Sequence, residues 1–153
     1  MIVYRVTGED VKIFMSELYK GNAFNDFPVR FFEVTTFIKY KIDGYLDKNY
    51  FESKSDFITW GEILPFALSA LKVKNLKPKS VEIEFALDNS IVNINDKVKL
   101  FLLHMHYSND EIILTANTVD KEFTLSKSSQ EQWHEFLLNF FIDKKLPVFK
   151  DEI

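Results

Sequence analysis

Three stretches of the chain place apolar residues three and four positions apart, which is the spacing of one face of an α-helix. They begin near Thr7, Thr59 and Ser128, and each of these residues is followed three positions later by an acid, as in a capping box. Pro65 lies inside the second stretch and predicts a kink or an irregular first turn there. The three apolar faces consist of Val11, Phe14, Met15, Leu18 and Tyr19; of Ile63, Phe66, Ala67, Ala70 and Leu71; and of Trp133, Phe136, Leu137, Phe140 and Phe141.

Between the helical stretches, apolar and polar residues alternate, which is typical of strands with one buried face. The alternation from Phe32 to Ile42 predicts one long strand, and Asp43-Gly44 predicts a hairpin turn into a second strand over residues 45–51. Val81 to Leu87 predicts a further strand, with Glu82 and Glu84 on its polar face. The remaining predicted strands form a meander over 98–107, 112–119 and 122–126, with turns near Asn109-Asp110 and Asp120-Lys121.

The order of these elements favours an α+β fold. Most neighbouring strands are joined by short turns, which indicates an antiparallel sheet, and 153 residues fit one domain. We therefore predict a single α+β domain over residues 1–149, with a mainly antiparallel sheet packed against three helices and a flexible tail at 150–153. Residues 88–96 are rich in asparagine and fit a loop, a short strand or a helical turn equally well.

The composition narrows the chemistry. Sixteen phenylalanines supply a large core, whereas the absence of cysteine excludes thiol catalysis, disulfides and thiolate metal sites. The four glycines are scattered, so no phosphate-binding loop is present and no cofactor is predicted. A net charge of −4 argues against a nucleic-acid partner. No apolar stretch approaches the ~20 residues of a spanning helix, and the first residues lack the pattern of a signal peptide, so we expect a cytoplasmic protein without a membrane partner.

Three motifs of the chain are similar to those of an uncharacterised family. They are Phe24 with Phe27-Pro28-Val29 ahead of Val34-Thr35-Thr36, the run from Phe57 to Pro65, and Phe123 to Ser128 ahead of Trp133. Together they resemble a bacterial domain of unknown function, found in small proteins of anaerobic Gram-positive species. The resemblance covers nearly the whole chain, and it implies no activity, cofactor or catalytic residue.

His104 and His106 are the candidate metal ligands. Residues two apart in a strand share a face, so both imidazoles could reach one ion. Asp110 and Glu111 follow the strand, and His134 lies on the third helix. A catalytic zinc or iron site needs a third ligand and supporting groups, and no second spaced motif supplies them. The alternative is two half-exposed histidines near the end of a strand.

One acidic and one basic pattern could form functional sites, but each has a simpler structural explanation. Glu82 and Glu84 could divide acid and base roles, but their alternation with apolar residues is that of the solvated face of a strand. The lysines at 72, 74, 77 and 79 could contact phosphate, but they also suit a solvated helix end.

Phe24 and Phe27 are the candidate interaction residues, because two phenylalanines in a polar connection could be exposed anchors for a partner. The alternative is that they tuck under the loop as part of the core. These observations favour a non-enzymatic interaction or accessory protein that uses an aromatic-rich surface to bind a protein partner or itself. A small-molecule-binding protein with an apolar pocket is the alternative, and a metal-dependent enzyme ranks last.

Overall fold

A computed structural model describes residues 1–151, apart from the side chain of Val73. Strands and helices follow one another in the order expected of an α+β domain. The strands are β1 (Ile2–Val6), β2 (Pro28–Thr35), β3 (Lys39–Asp43), β4 (Ile58–Thr59), β5 (Ser80–Leu87), β6 (Val98–Ser108), β7 (Glu111–Asp120) and β8 (Phe149–Lys150). The helices are α1 (Asp10–Lys20), α2 (Trp60–Leu71) and α3 (Ser128–Asp143), with a 3₁₀ turn at Val73–Asn75.

The eight strands form one antiparallel sheet. Its order is β3-β2-β5-β6-β7-β1-β8, and β4 pairs with the first residues of β2, on the same side as β3. The predicted fold class, a single α+β domain with three helices on a mainly antiparallel sheet, is confirmed.

One face of the sheet carries the core. Alternate residues of the central strands, such as Ile83 in β5 and Met105 in β6, are fully buried on this face. The helices cover it with most of their predicted apolar faces, and Phe14, Trp60 and Trp133 are among their fully buried side chains. Phe66 of α2 is the exception, because it was predicted on the apolar face but is exposed. The other face bears the polar alternation, and none of the described helices lies above it, so we call it the open face.

The three predicted capping boxes have different outcomes. Thr59 caps α2 as predicted, because its hydroxyl accepts the Glu62 N–H and the Glu62 carboxylate accepts the Thr59 N–H. Pro65 lies inside α2 without ending it. The other two boxes are wrong, because α1 and α3 begin without a side-chain cap. Ahead of α3, the Ser126 hydroxyl accepts the Ser128 N–H in a turn of its own.

The predicted long strand from Phe32 to Ile42 is two strands. The chain reverses at residues 36–38, so β2 and β3 form a hairpin in which Val34 lies opposite Tyr40. Asp43-Gly44 is therefore not the hairpin turn, and residues 45–51 form no strand. Gly44 instead lies against β2, where its N–H donates to the Arg30 carbonyl at 2.8 Å.

Two further predictions need correction. Residues 122–126 are not a strand, and Phe123 and Leu125 are almost fully exposed there. The tail predicted at 150–153 is paired in its first half: Lys150 lies opposite Tyr4, and the Asp151 N–H donates to the Val3 carbonyl at 2.8 Å. Residues 152 and 153 lie outside the described part of the chain. The undecided residues 88–96 are a loop held by the Asn89 amide, which donates to the carbonyls of Asn95 and Val98.

Candidate functional site

Four exposed apolar side chains surround the turn between β2 and β3. Phe37, Ile38 and Tyr40 are 52%, 54% and 44% exposed, and Phe66 of α2 is 59% exposed. With Val34 they line an apolar depression of about 260 Å³. We call Phe37, Ile38, Tyr40 and Phe66 the hairpin surface.

The sheet register explains this exposure. Tyr40 lies opposite Val34, so it points to the same face of the sheet as the core. Val34 is buried, whereas Tyr40, one strand further out, is not. The core face of the sheet thus continues onto the edge strand, where its side chains are apolar but open to solvent.

Lysines border the hairpin surface. The Lys74 ammonium lies 5.0 Å from the centre of the Phe37 ring, which is a cation–π distance. The backbone N–H of Lys79 donates to Thr35 at the end of β2, at 2.8 Å. Lys39 and Lys41 alternate with Tyr40 along β3, so they flank it on the strand while their side chains lie on the open face. Part of the basic run after α2 thus lies beside exposed aromatic rings, whereas Lys77 pairs with Asp110, which raises the pKa of Lys77 and lowers that of Asp110.

His104 and His106 both lie on the open face, as the strand alternation predicts. Glu82 lies opposite His106, and its carboxylate is 2.8 Å from the His106 Nδ1. The other ring nitrogen of His106 is 3.1 Å from the Ser108 hydroxyl. His104 lies opposite Glu84, whose carboxylate is 3.4 Å from the Arg30 guanidinium. Each of the two glutamates therefore has a partner on the sheet, as expected of a solvated strand face.

The third histidine does not join the other two. His134 lies on the helix-covered face, where its Nδ1 is hydrogen-bonded to the Tyr4 hydroxyl at 2.6 Å. Burial lowers the pKa of His134 and raises that of Tyr4, which favours the neutral forms of both side chains. Within residues 1–151, no three histidine, aspartate or glutamate side chains come together as metal ligands. Metal binding by His104 and His106 stays a prediction, and these two side chains are its only proposed ligands.

Phe24 and Phe27 are in the core. They are 1% and 6% exposed, and both rings contact Phe85 and Phe140. A partner cannot reach buried rings, so the interpretation of these two residues as exposed anchors is corrected. The alternative, in which the loop tucks them under itself, describes their placement.

A second concave region lies between α1 and the end of β6. This α1 cleft has a volume of about 540 Å³, and its walls include Val11, Met15, Tyr19 and Tyr107. The Tyr19 hydroxyl is buried and has no hydrogen-bond partner among the described residues. A larger depression of about 1030 Å³ lies between the loop at 89–97 and the segment at 120–129, and most of the residues that line it are polar.

A comparison with models of protein families identifies the family of this chain. The model of a family of unknown function matches residues 17–148, which include the hairpin surface, the open face and most of the core. The chain belongs to the DUF5721 family. No curated protein and no solved structure matches it.

The hairpin surface of this DUF5721 protein was not predicted from the sequence. Phe37 is the one signal that could have indicated it, because it interrupts the alternation of the predicted strand with an apolar residue on the polar side. In residues 1–151, no helix is both long enough and apolar enough to cross a bilayer.

Proposed function

We propose that this DUF5721 protein is a protein-interaction or accessory protein that binds a partner through the hairpin surface. The observation that carries this proposal is the clustering of four exposed apolar side chains around one depression. Single exposed apolar residues are ordinary on a protein surface, but a contiguous group that contains three aromatic rings is typical of a binding site. Aromatic side chains dominate the binding energy of many protein interfaces.

The lysines near the hairpin surface indicate the chemistry of the partner. The chain carries a net charge of −4, yet Lys39, Lys41, Lys74 and Lys79 lie on or next to the β2–β3 hairpin. A partner that combines apolar side chains with aspartate or glutamate would complement this surface. The absence of cysteine fits a reducing compartment, so we place the interaction in the cytoplasm.

A random peptide library displayed on phage tests the proposal and does not require the partner to be identified first. We expect selected peptides to combine apolar residues with aspartate or glutamate. Their binding should be lost in Phe66→Ser and weaken as salt is raised, because salt screens the lysines. The matched control is Ile142→Ser, which removes an exposed apolar side chain from α3, away from the hairpin surface.

Two results would contradict the proposal. In one, the library yields no peptide that distinguishes the native protein from Phe66→Ser. In the other, Ile142→Ser weakens binding as much as Phe66→Ser does. Light scattering after size exclusion, for the native protein and Phe66→Ser, reports whether a second copy occupies the surface instead.

The α1 cleft supports a second candidate function, the binding of a small molecule. Its volume lies in the range of roughly 300–1,000 Å³ that is usual for ligand sites, and its walls are largely apolar. A metabolite screen by thermal shift tests it, because a ligand that prefers the folded state raises the melting temperature. Met15→Trp should fill the cleft and abolish any such shift, whereas Ile13→Trp on the exposed side of α1 should not. The function is excluded if no compound raises the melting temperature.

A further inference from the structure

We propose that the partner binds as an additional β-strand along β3, and that its sequence alternates apolar with acidic residues. This inference rests on the proposed function, because it specifies how the partner reaches the hairpin surface. β3 is the edge of the sheet and pairs only with β2 among the described residues. Four of its five residues are exposed.

The hydrogen-bond pattern of the hairpin shows which backbone groups of β3 are free. In an antiparallel pair, directly opposite residues alternate between hydrogen-bonded and non-bonded pairs. The bonds from Thr36 to Ile38 and from Gly44 to Arg30 fix this alternation at both ends of the hairpin. Tyr40 and Ile42 therefore bond to β2, whereas the N–H and C=O groups of Lys39 and Lys41 point away from the sheet. An added strand would find a donor and an acceptor at each of these two lysines.

The side chains of β3 then specify the sequence of the added strand. Its residues opposite Tyr40 and Ile42 would lie on the core side, next to the hairpin surface, and are best apolar. Its residues opposite Lys39 and Lys41 would lie on the open face and are best acidic. At present Lys39 pairs with Glu33 at 3.3 Å, and Lys41 lies 4.9 Å from the Phe31 ring centre. Exposed contacts of this kind contribute little and are easily exchanged for a new partner.

The same lysines disfavour a second copy of the chain as the added strand in the register centred on Lys41. Two β3 strands paired antiparallel about Lys41 would bring two ammonium groups together on the open face, and like charges directly opposite one another are destabilising. At the other edge of the sheet, β8 comprises only two residues and offers a shorter template.

A short synthetic peptide that alternates glutamate with valine is the direct probe. We expect it to bind more tightly, by about tenfold, than a peptide of the same composition with its glutamates and valines in separate blocks, because only the alternating peptide presents one apolar and one acidic face. On binding, the amides of Lys39 and Lys41 should become protected from hydrogen exchange. Lys41→Pro removes one outward donor that β2 does not use and should weaken binding about tenfold. Lys41→Gln removes the charge alone, retains the N–H, and should leave amide protection in place.

The outcomes separate this inference from the proposed function. If Phe66→Ser weakens the peptide while Lys41→Pro does not, and the amides of Lys39 and Lys41 stay unprotected, the hairpin surface binds its partner in another way and strand addition is wrong. If the block peptide binds as tightly as the alternating one, strand addition is also wrong. Exchange measured on the native protein decides the question even if Lys41→Pro fails to fold. Failure of the phage selection overturns both proposals.

Discussion

Gly44 directly follows β3 and continues its pairing with β2, since its N–H donates to the Arg30 carbonyl. Its carbonyl accepts the Ile58 N–H, and a side-chain carbon at this position would lie 1.8 Å from the Val29 carbonyl oxygen. We expect Gly44→Ala to lower the free energy of unfolding by about 3 kcal/mol, because two backbone segments must move apart. Urea denaturation measures this loss.

Gly8 provides the matched control. Its φ of +61° is unfavourable for alanine, but no atom lies within 4 Å of the added carbon. Gly8→Ala should therefore cost only the conformational penalty of about 1 kcal/mol. Equal losses at the two glycines would show that the close approach at Gly44 does not limit stability. The contrast also explains why the prediction of a hairpin turn at Asp43-Gly44 is wrong. The sequence shows a glycine, but it does not show whether that glycine is needed for a positive φ or for a close backbone contact.

Tyr4 and Tyr19 form a second pair at this scale. Both hydroxyls are buried, but only that of Tyr4 has a partner, His134. We expect Tyr4→Phe to lower the free energy of unfolding by about 1 kcal/mol, since it leaves the Nδ1 of His134 without its hydrogen-bond partner. Tyr19→Phe should be neutral or stabilising, because it removes a buried polar atom that has no partner among the described residues. Denaturation midpoints compare the two, and a loss at Tyr19 as large as that at Tyr4 would indicate a bound water or ligand at Tyr19.

At the scale of elements, the cap of α2 can be tested against the cap that was wrongly predicted for α3. Thr59→Ala should lower the free energy of unfolding by about 1 kcal/mol, since it removes the acceptor for the Glu62 N–H. Ser128→Ala should lower the free energy of unfolding much less. Among the described residues, the Ser128 hydroxyl accepts no backbone N–H of α3 and is hydrogen-bonded to the Ser126 hydroxyl. Thermal unfolding of the two variants is the measurement. A larger loss for Ser128→Ala would mean that α3 is capped as the sequence predicted.

The elements also show what the sequence could predict. The helix faces, apart from Phe66, and strands β5, β6 and β7 were predicted because each buries one continuous face, which imposes its period on the residues. The turn at residues 36–38 was missed because the alternation keeps its phase across it: Val34 and Tyr40 lie on the same side of the sheet whether the chain continues straight or reverses. The period of a pattern therefore indicates which face of the sheet a residue lies on, but it does not indicate which strand the residue belongs to.

At the scale of the whole molecule, the candidate site depends on distances along the sheet that no local pattern records. Tyr40 and Val34 have similar sequence surroundings, yet only Val34 is buried, because β3 is one strand further out. The sequence therefore predicted an aromatic-rich surface in general terms but assigned it to Phe24 and Phe27, which the fold buries. His104 and His106 could be placed on one face of a strand, since that requires only the two-residue period.

Native-state hydrogen exchange tests the arrangement of the whole sheet. Amides in β5, β6 and β7 should exchange most slowly, because these strands are paired on both sides in the middle of the sheet. Within β3, the amides of Tyr40 and Ile42 bond to β2 and should exchange at least roughly tenfold more slowly than those of Lys39 and Lys41, which point outward. This alternation is specific to a strand with one free edge. If Lys39 and Lys41 are as protected as their neighbours in the isolated protein, that edge is already occupied and no partner strand can add there.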